Sequence, residues 1–379
     1  MSGADLQDSA GFPVFHAWPA PQGPRVKQLG SWSAPEQLSS SPAGGYRPQI
    51  AASGDTLHVL FYDRSDEGDI IRHRIGPDWS APVQVGFDEE RNWGPDLVAR
   101  DDGTVVMVFD HALPTFISRG WLSEYDGTWS KPTPLTEDDP TGEIGSGHVA
   151  HGAGDDLAYV WIGKTMGPEH HFTAHGMWRQ NGQWSDVTEF TDGEADAWHS
   201  NVERRPDGSV LAGYDVGVGG QSTELYLVNG RAGRWDAPES VGTGERPHFA
   251  FGAEDHVTWF HKTDGRPLTV WTMSGSPGDW DAPVQVNVGF GGYHFDPDIA
   301  VNDEGVRCLV WGWDAGNEAE LVYSLDRGSG WESPRKVAQL GSGKPGLPSV
   351  DVGADGSFHV VWNQGLRGDS HVYYARLAP

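Results

Sequence analysis

Cysteine is almost absent from this chain: of 379 residues only Cys308 is one, which rules out an intrachain disulfide and a thiolate metal cluster. Cys308 sits in the apolar run Cys308-Leu309-Val310-Trp311, the setting of a small core residue rather than a nucleophile. Basic residues are scarce as well, 26 against 54 acidic ones, for a net charge of −28. A surface of that sign repels phosphate backbones and argues against a nucleic-acid partner. Apolar runs long enough to span a bilayer are missing, so no membrane association is expected. The first residues, MSGADLQDSAGFPVFHAWP, lack a basic stretch followed by an apolar one. That points to a cytoplasmic protein, or to an exported one whose signal has already been removed. Sustained 3.6-residue amphipathic periodicity is lacking too, so little helix is expected.

What is present is a repeat. Trp followed three residues later by Pro recurs at Trp32, Trp79, Trp129, Trp235, Trp280 and Trp331, with a degenerate copy at Trp184. The steps between them run from 45 to 55 residues, the size of one four-stranded propeller blade. Within each period an apolar strand opens near a Pro, as in Pro48-Gln49-Ile50 or Pro297-Asp298-Ile299. A tight Asp-Gly turn follows, and then an alternating β-branched and aromatic run. Seven copies predict an all-β, seven-bladed β-propeller over residues 28–379, preceded by an N-terminal extension over 1–27. The first Trp motif precedes the first opening strand, and the last blade ends at Pro379 without a motif of its own. The N-terminal strand is therefore expected to complete the seventh blade and close the ring, covering an edge that would otherwise invite aggregation. The repeated Trp are expected to pack between blades, each with its blade's fourth strand.

Alignment of the copies predicts which residues reach one mouth of the central funnel. Strand starts bring Tyr46, Arg47, Trp93, His148, Trp198, His199, Arg246, His248, Tyr293 and His294 there. Strand ends bring Asp63, Asp110, His111, Trp161, Tyr214, Asp215, His261, Trp313 and Asn363, and a loop of blade three adds Glu169, His170 and His171, with His175 just beyond. More than half of the 16 His fall at this mouth, together with aromatic residues that suit sugar faces.

Three constellations follow. In the first, His148, His170 or His171 and Tyr214 move protons, while Arg246 or Arg47 neutralises a uronate carboxylate and so makes its α-proton acidic. Trp93, Trp198, His199, His248, Tyr293 and His294 would then bind substrate. The second is a divalent-metal site drawn from several of His148, His170, His171, His175 and His199, with His148, His171 and His199 the leading candidates. The third is a carboxylate pair, Asp63 with Asp110 or Asp215, for glycoside hydrolysis, although the recurrence of these acids fits a structural role better.

The repeat resembles that of bacterial seven-bladed propellers with sialidase-like repeats, over nearly the whole chain. The Asp-box of true sialidases, Ser-x-Asp-x-Gly-x-Thr-Trp, is absent. A closer resemblance is to propeller polysaccharide lyases that cleave uronate polymers such as ulvan, and to rhamnose–glucuronate lyases. In those families a His at a strand start, a second His further on, a strand-end Tyr and an Arg form the site. His148, His170 or His171, and Tyr214 follow that order. The Arg expected on the strand after the Tyr has no counterpart in residues 222–228, so Arg246 or Arg47 would stand in. The resemblance implies an enzyme that cleaves a uronate-containing glycan by β-elimination, and separately a monomer is expected. A lectin-like sugar-binding propeller, an enzyme of small-molecule metabolism and a glycoside hydrolase are the alternatives; the partner in each case is an acidic oligosaccharide or a small molecule.

Overall fold

The computed structural model describes residues 30–379, apart from 41–43, 66–67, 88–91, 101, 113–117, 136–142, 153, 165–170, 192–194, 219–220, 263–268, 339–342 and 367–368. The proposed extension over 1–27 lies outside the described residues. The described chain folds into seven antiparallel sheets, and each takes three long strands and a short outer one from a single repeat. The exception is the seventh. Its inner strands Lys344–Val352, Phe358–Leu366 and Asp369–Leu377 are completed by Glu36–Gln37, which pairs with Tyr373 and Tyr374. The ring is thus a seven-bladed propeller closed by its own N-terminal strand, as the phase of the repeat requires. No helix among the described residues is long and apolar enough to cross a membrane.

Neighbouring first strands contact one another all the way round, from Gly45–Ser53 of blade one to Lys344–Val352 of blade seven, and so surround the axis. The second strands are the most apolar segments; Val105–Ala112 is buried at every position. Burial on both faces follows from the architecture, since each blade is sandwiched between two others. The buried side chains fall into seven clusters, and each cluster is an interface between adjacent blades. Blade one meets blade seven through Val59 and Phe61 against Val361, Val372 and Tyr374. Blade two meets blade three through Val106 and Val108 against Tyr159 and Trp161. Cys308 lies fully buried in the interface of blades six and seven, and burial pushes its thiol pKa up.

The repeated Trp pack across these interfaces. Trp32 meets Tyr323 edge-on at 5.4 Å, Trp79 meets Tyr374 at 4.9 Å, and Trp235 lies 5.3 Å from Trp178. Their place in the blade differs from the expected one. Each marks the hairpin after the third strand, as in Trp235↔Gly230 and Trp280↔Gly275, and the outer strand begins only beyond the Pro. Proline has no N–H to give the ladder, so pairing resumes after it. At Gly230 a Cβ would stand 2.6 Å from the Trp235 ring, so glycine is needed there for the indole to lie flat on the strand.

Candidate functional site: the cationic mouth of the funnel

Every innermost strand carries a bulge at the same height, where two residues drop out of the ladder: between Tyr46 and Gln49, Trp93 and Asp96, Trp198 and Asn201, and so on round the ring. In five blades the second of these two residues is a Pro, whose missing N–H explains the interruption. The first takes a left-handed conformation at Arg47 (φ 45°), Gly94 (57°), His199 (37°), Arg246 (55°), Asp296 (50°) and Leu347 (46°). Side chains other than glycine pay on the order of 1 kcal/mol for that conformation, and such strain gathers where a side chain must be aimed. Here it turns Arg47, His199 and Arg246 toward the axis.

The resulting mouth cavity has a volume of about 100 Å³ and is lined by Arg47, Gln49, His148, His199, Arg246 and His248, with Gly94 and Leu347 on its wall. Each of the three imidazoles presents Nδ1 to a carboxylate. His199 lies 3.1 Å from Asp215 Oδ1, His248 lies 3.1 Å from Asp298 Oδ1, and His148 lies 3.5 Å from Asp96 Oδ2. An aspartate at Nδ1 favours the tautomer with the proton there, which leaves Nε2 as the basic atom. Arg246 donates from Nη1 to Asp296 Oδ1 at 2.7 Å, and its Nε has no hydrogen-bond partner among the described residues. Beneath Arg47 and Gly94 lies Asp110, 1 % exposed. Burial raises the Asp110 pKa well above the usual carboxylate range against the opposing pull of Arg47.

Below the mouth an axial cavity of about 410 Å³ continues between the first strands, with His151, Arg204 and Arg205 among its lining residues. Asp96, Glu203, Asp298 and Asp351 line it. Three of these acids fasten blades together: Asp96 accepts from Val149 N, Asp298 from Val350 N and Asp351 from Ala52 N. Glu203 faces the channel but is enclosed by the surrounding walls. That enclosure, and then the charges of Asp96, Asp351 and Asp298, push its pKa well above the ordinary value. Burial likewise lifts Asp351 to about 6.

No protein-family model matches the chain, and no curated protein matches it in sequence. Solved structures do resemble it in fold. An ulvan lyase of a polysaccharide lyase family, bound to -[GlcA(1-4)Rha3S]-, superposes with a TM-score of 0.64 at 11% identity over 89% of this chain and 95% of its own. A Dyadobacter fermentans protein of unknown function gives 0.59 at 11% identity, over 93% of this chain and 100% of its own. Trypanosoma rangeli sialidase in complex with sialic acid gives 0.53 at 11% identity, over 86% of this chain and 59% of its own. The chain shares their propeller fold.

Of the residues singled out in the sequence, the propeller brings Arg47, His148, His199, Arg246 and His248 to one cavity and leaves others away from it. Tyr214, expected as a proton carrier, is 3 % exposed in the interface of blades three and four, and its hydroxyl donates to Phe190 O at 3.1 Å. Strand alternation turns Asp215 toward His199 and so turns the adjacent Tyr214 away. His294, expected to bind substrate, is fully buried. Its Nε2 donates to Phe290 O, and its Nδ1 accepts from Trp311 Nε1, both at 2.8 Å. Trp198 packs on Phe172 at 4.8 Å, and Tyr293 is exposed at the start of its strand; neither lines the mouth cavity. Trp93 starts the first strand of blade two, but its side chain and the whole of His170 lie outside the described residues.

His171 stands 3.7 Å from Asp196 and outside both cavities, so it does not join His148 and His199. Among the described residues no three His, Cys, Asp or Glu side chains are grouped to hold a metal, so His148, His171 and His199 do not form one site, and His170 lies outside the described residues. The carboxylate pair for hydrolysis also dissolves. Asp63 binds Arg72, Asp215 binds His199, and Asp110 is enclosed, all three 5 % exposed or less. The partners Asp96 and Asp298 were not anticipated as part of the site. Both stand two residues beyond the bulge residue, at the position His148 and His248 occupy in neighbouring blades, so counting from each bulge finds them.

Replacing Tyr214 by Phe separates the two placements. Stability should fall by about 1 kcal/mol for the lost hydrogen bond, and ligand binding at the mouth should be unchanged, as read by urea denaturation and calorimetry.

Proposed function

We propose that the mouth binds a uronate-bearing oligosaccharide and cleaves it by β-elimination. The observation that supports this reading is the pairing, in one small cavity, of two arginines with three imidazoles backed by carboxylates. The fold likeness is consistent with it: the ulvan lyase was solved with a glucuronate-containing fragment and the sialidase with sialic acid, and both ligands are carboxylate-bearing sugars. The net charge of −28 would repel such a ligand elsewhere on the surface, so the cationic mouth supplies local complementarity.

In the reaction an imidazole Nε2 removes the proton from the carbon α to the carboxylate. The C–H electrons form the new carbon–carbon double bond, and the bond from the β-carbon to the glycosidic oxygen breaks. That oxygen takes a proton from a second acid of the mouth and leaves as a hydroxyl. Arginine at the carboxylate stabilises the charge that develops as the proton departs. With three imidazoles at the cavity, one can act as base while another, protonated, serves as acid.

Incubation with ulvan, glucuronan and gum-arabic-type polymers should produce the ultraviolet absorbance of an unsaturated uronate. Arg47→Ala and Arg246→Ala should each raise KM by about tenfold or more, and His148→Ala should lower turnover. No absorbance on any of the three polymers would reject the elimination. Full activity in His148→Ala would remove that residue from the site.

A further inference from the structure

We infer that Asp215 is a positioning residue that sets His199 as the proton acceptor of the funnel and ties Arg246 to it. The inference rests on the elimination reading and names which of the three imidazoles does the work. Asp215 is fully buried in the second strand of blade four. Its Oδ1 lies 3.1 Å from His199 Nδ1, its Oδ2 lies 3.4 Å from the same nitrogen, and Oδ1 also accepts the Arg246 backbone N–H at 3.1 Å. One carboxylate therefore joins the bulge residues of two adjacent blades.

The other two carboxylates are less enclosed. Asp96 Oδ2, the oxygen nearest His148, takes the Val149 N–H at 2.9 Å, and the His148 contact is the longer one at 3.5 Å. Asp298 accepts Ile299 N through Oδ1 and Val350 N through Oδ2, and it lines the axial channel. Like Asp215, each takes a backbone N–H of the adjacent blade, but their side chains are each 13 % exposed. Asp215 faces the imidazole with both oxygens from a fully buried site, where a carboxylate stabilises the imidazolium most.

Substrate chemistry requires the same arrangement. The proton to be removed and the carboxylate to be neutralised belong to one carbon and its substituent, so base and clamp must be neighbours. His199 and Arg246 are consecutive bulge residues, in blades four and five, and both line the mouth cavity. Arg47 belongs to blade one, across the funnel. Asp296 holds one corner of the Arg246 guanidinium, at Nη1, and fixes its direction. His199 thus takes the proton at Nε2, and Asp215 fixes both the tautomer and the distance to the clamp.

The test compares Asp215→Asn and Asp215→Ala with His199→Gln and Arg246→Ala. Asn keeps an acceptor for the Arg246 N–H but loses the charge facing His199. Its kcat on a glucuronate polymer should fall by about 100-fold or more while KM stays within about threefold. Nitrogen NMR should show His199 losing its Nδ1–H form in Asp215→Ala, which leaves Nδ1 without that acceptor. Asp215→Ala should in addition raise KM as Arg246→Ala does, because the clamp is then untied. If His199 keeps its Nδ1–H tautomer in Asp215→Ala, or if kcat in Asp215→Asn is within about threefold of wild type, the assignment is wrong. If the wild-type protein cleaves no uronate polymer, the elimination reading fails by itself. The tautomer, and weakened calorimetric binding of glucuronate in Asp215→Ala, still decide whether Asp215 organises the pair.

Discussion

A chain that begins at residue 41 should fail to form a stable ring. Removing the preceding segment strips the outer strand from blade seven and exposes the edge of Asp369–Leu377. It deletes Leu38, 1 % exposed in the core between blades one and seven, and Trp32, packed on Tyr323 of blade six. Backbone bonds from Gly30 to Ala378, Ser33 to Arg376 and Leu38 to Val372 are lost with them, as is the 2.8 Å bond from Arg74 to the Leu38 carbonyl. Truncating a buried Leu costs about 2–5 kcal/mol and a Trp about 3–5, which together approach the 5–15 kcal/mol total of a typical domain. The bare strand edge adds a route to aggregation. Thermal denaturation and light scattering should show an unfolded or associated protein. Leu38→Ala alone should lower urea stability by about 2–5 kcal/mol. A truncated chain that stays monomeric at the wild-type Tm would mean that the closure contributes nothing.

Acid should unfold the ring well above the pH at which its surface carboxylates protonate. Among the described residues, burial holds five of the enclosed imidazoles neutral. Burial lowers the pKa of His58 to about 4, His73 to about 3, and His256, His294 and His359 to about 4, against an ordinary 6.5. His58 and His73 form a stacked pair joined by a 3.1 Å hydrogen bond, and Trp129 donates to the remaining nitrogen of His73. Because the folded pKa lies below the unfolded one, stability is complete above 6.5 and is lost as pH falls from there toward about 4. Each group contributes roughly 1.4 kcal/mol per pH unit within that window. Asp110, Glu203 and Asp351 act in the opposite sense. Their raised pKa means that the folded state holds protons the unfolded chain releases, so their cost at neutral pH is relieved on acidification. Five imidazoles outweigh three carboxylates, and the urea midpoint should drop between about pH 6.5 and 4.5. A midpoint that is flat over this range would show that these histidines are not kept neutral.

The repeat made the ring legible because a blade is a local unit. Its hairpins form between adjacent segments, so Trp spacing and Asp-Gly turns record it directly. The height of the mouth residues was legible for the same reason, and Arg47, His148, His199, Arg246 and His248 were found that way. Which way a side chain turns at that height was not. His294 stands two residues before the bulge residue Asp296, at the level of Asn92 and Ala197, and all three are buried. His199 is itself the bulge residue and reaches the cavity. Counting from the strand start blurs that two-residue difference; the Asp296-Pro297 step marks the bulge in blade six, but blade four has Ser200 after His199 and no such marker. Tyr214 and Asp215 show the limit of pattern: alternation says that they face opposite ways but not which one faces the imidazole.

By itself, then, the sequence determined the seven blades, the closing N-terminal strand and the height at which chemistry could sit, because each is set by local pairing and by the phase of a repeat. Only the tertiary structure decided which imidazoles are backed by carboxylates. The contacts of His148 with Asp96, His248 with Asp298, and Arg246 N with Asp215 join different blades, and no segment records the angle at which two blades meet.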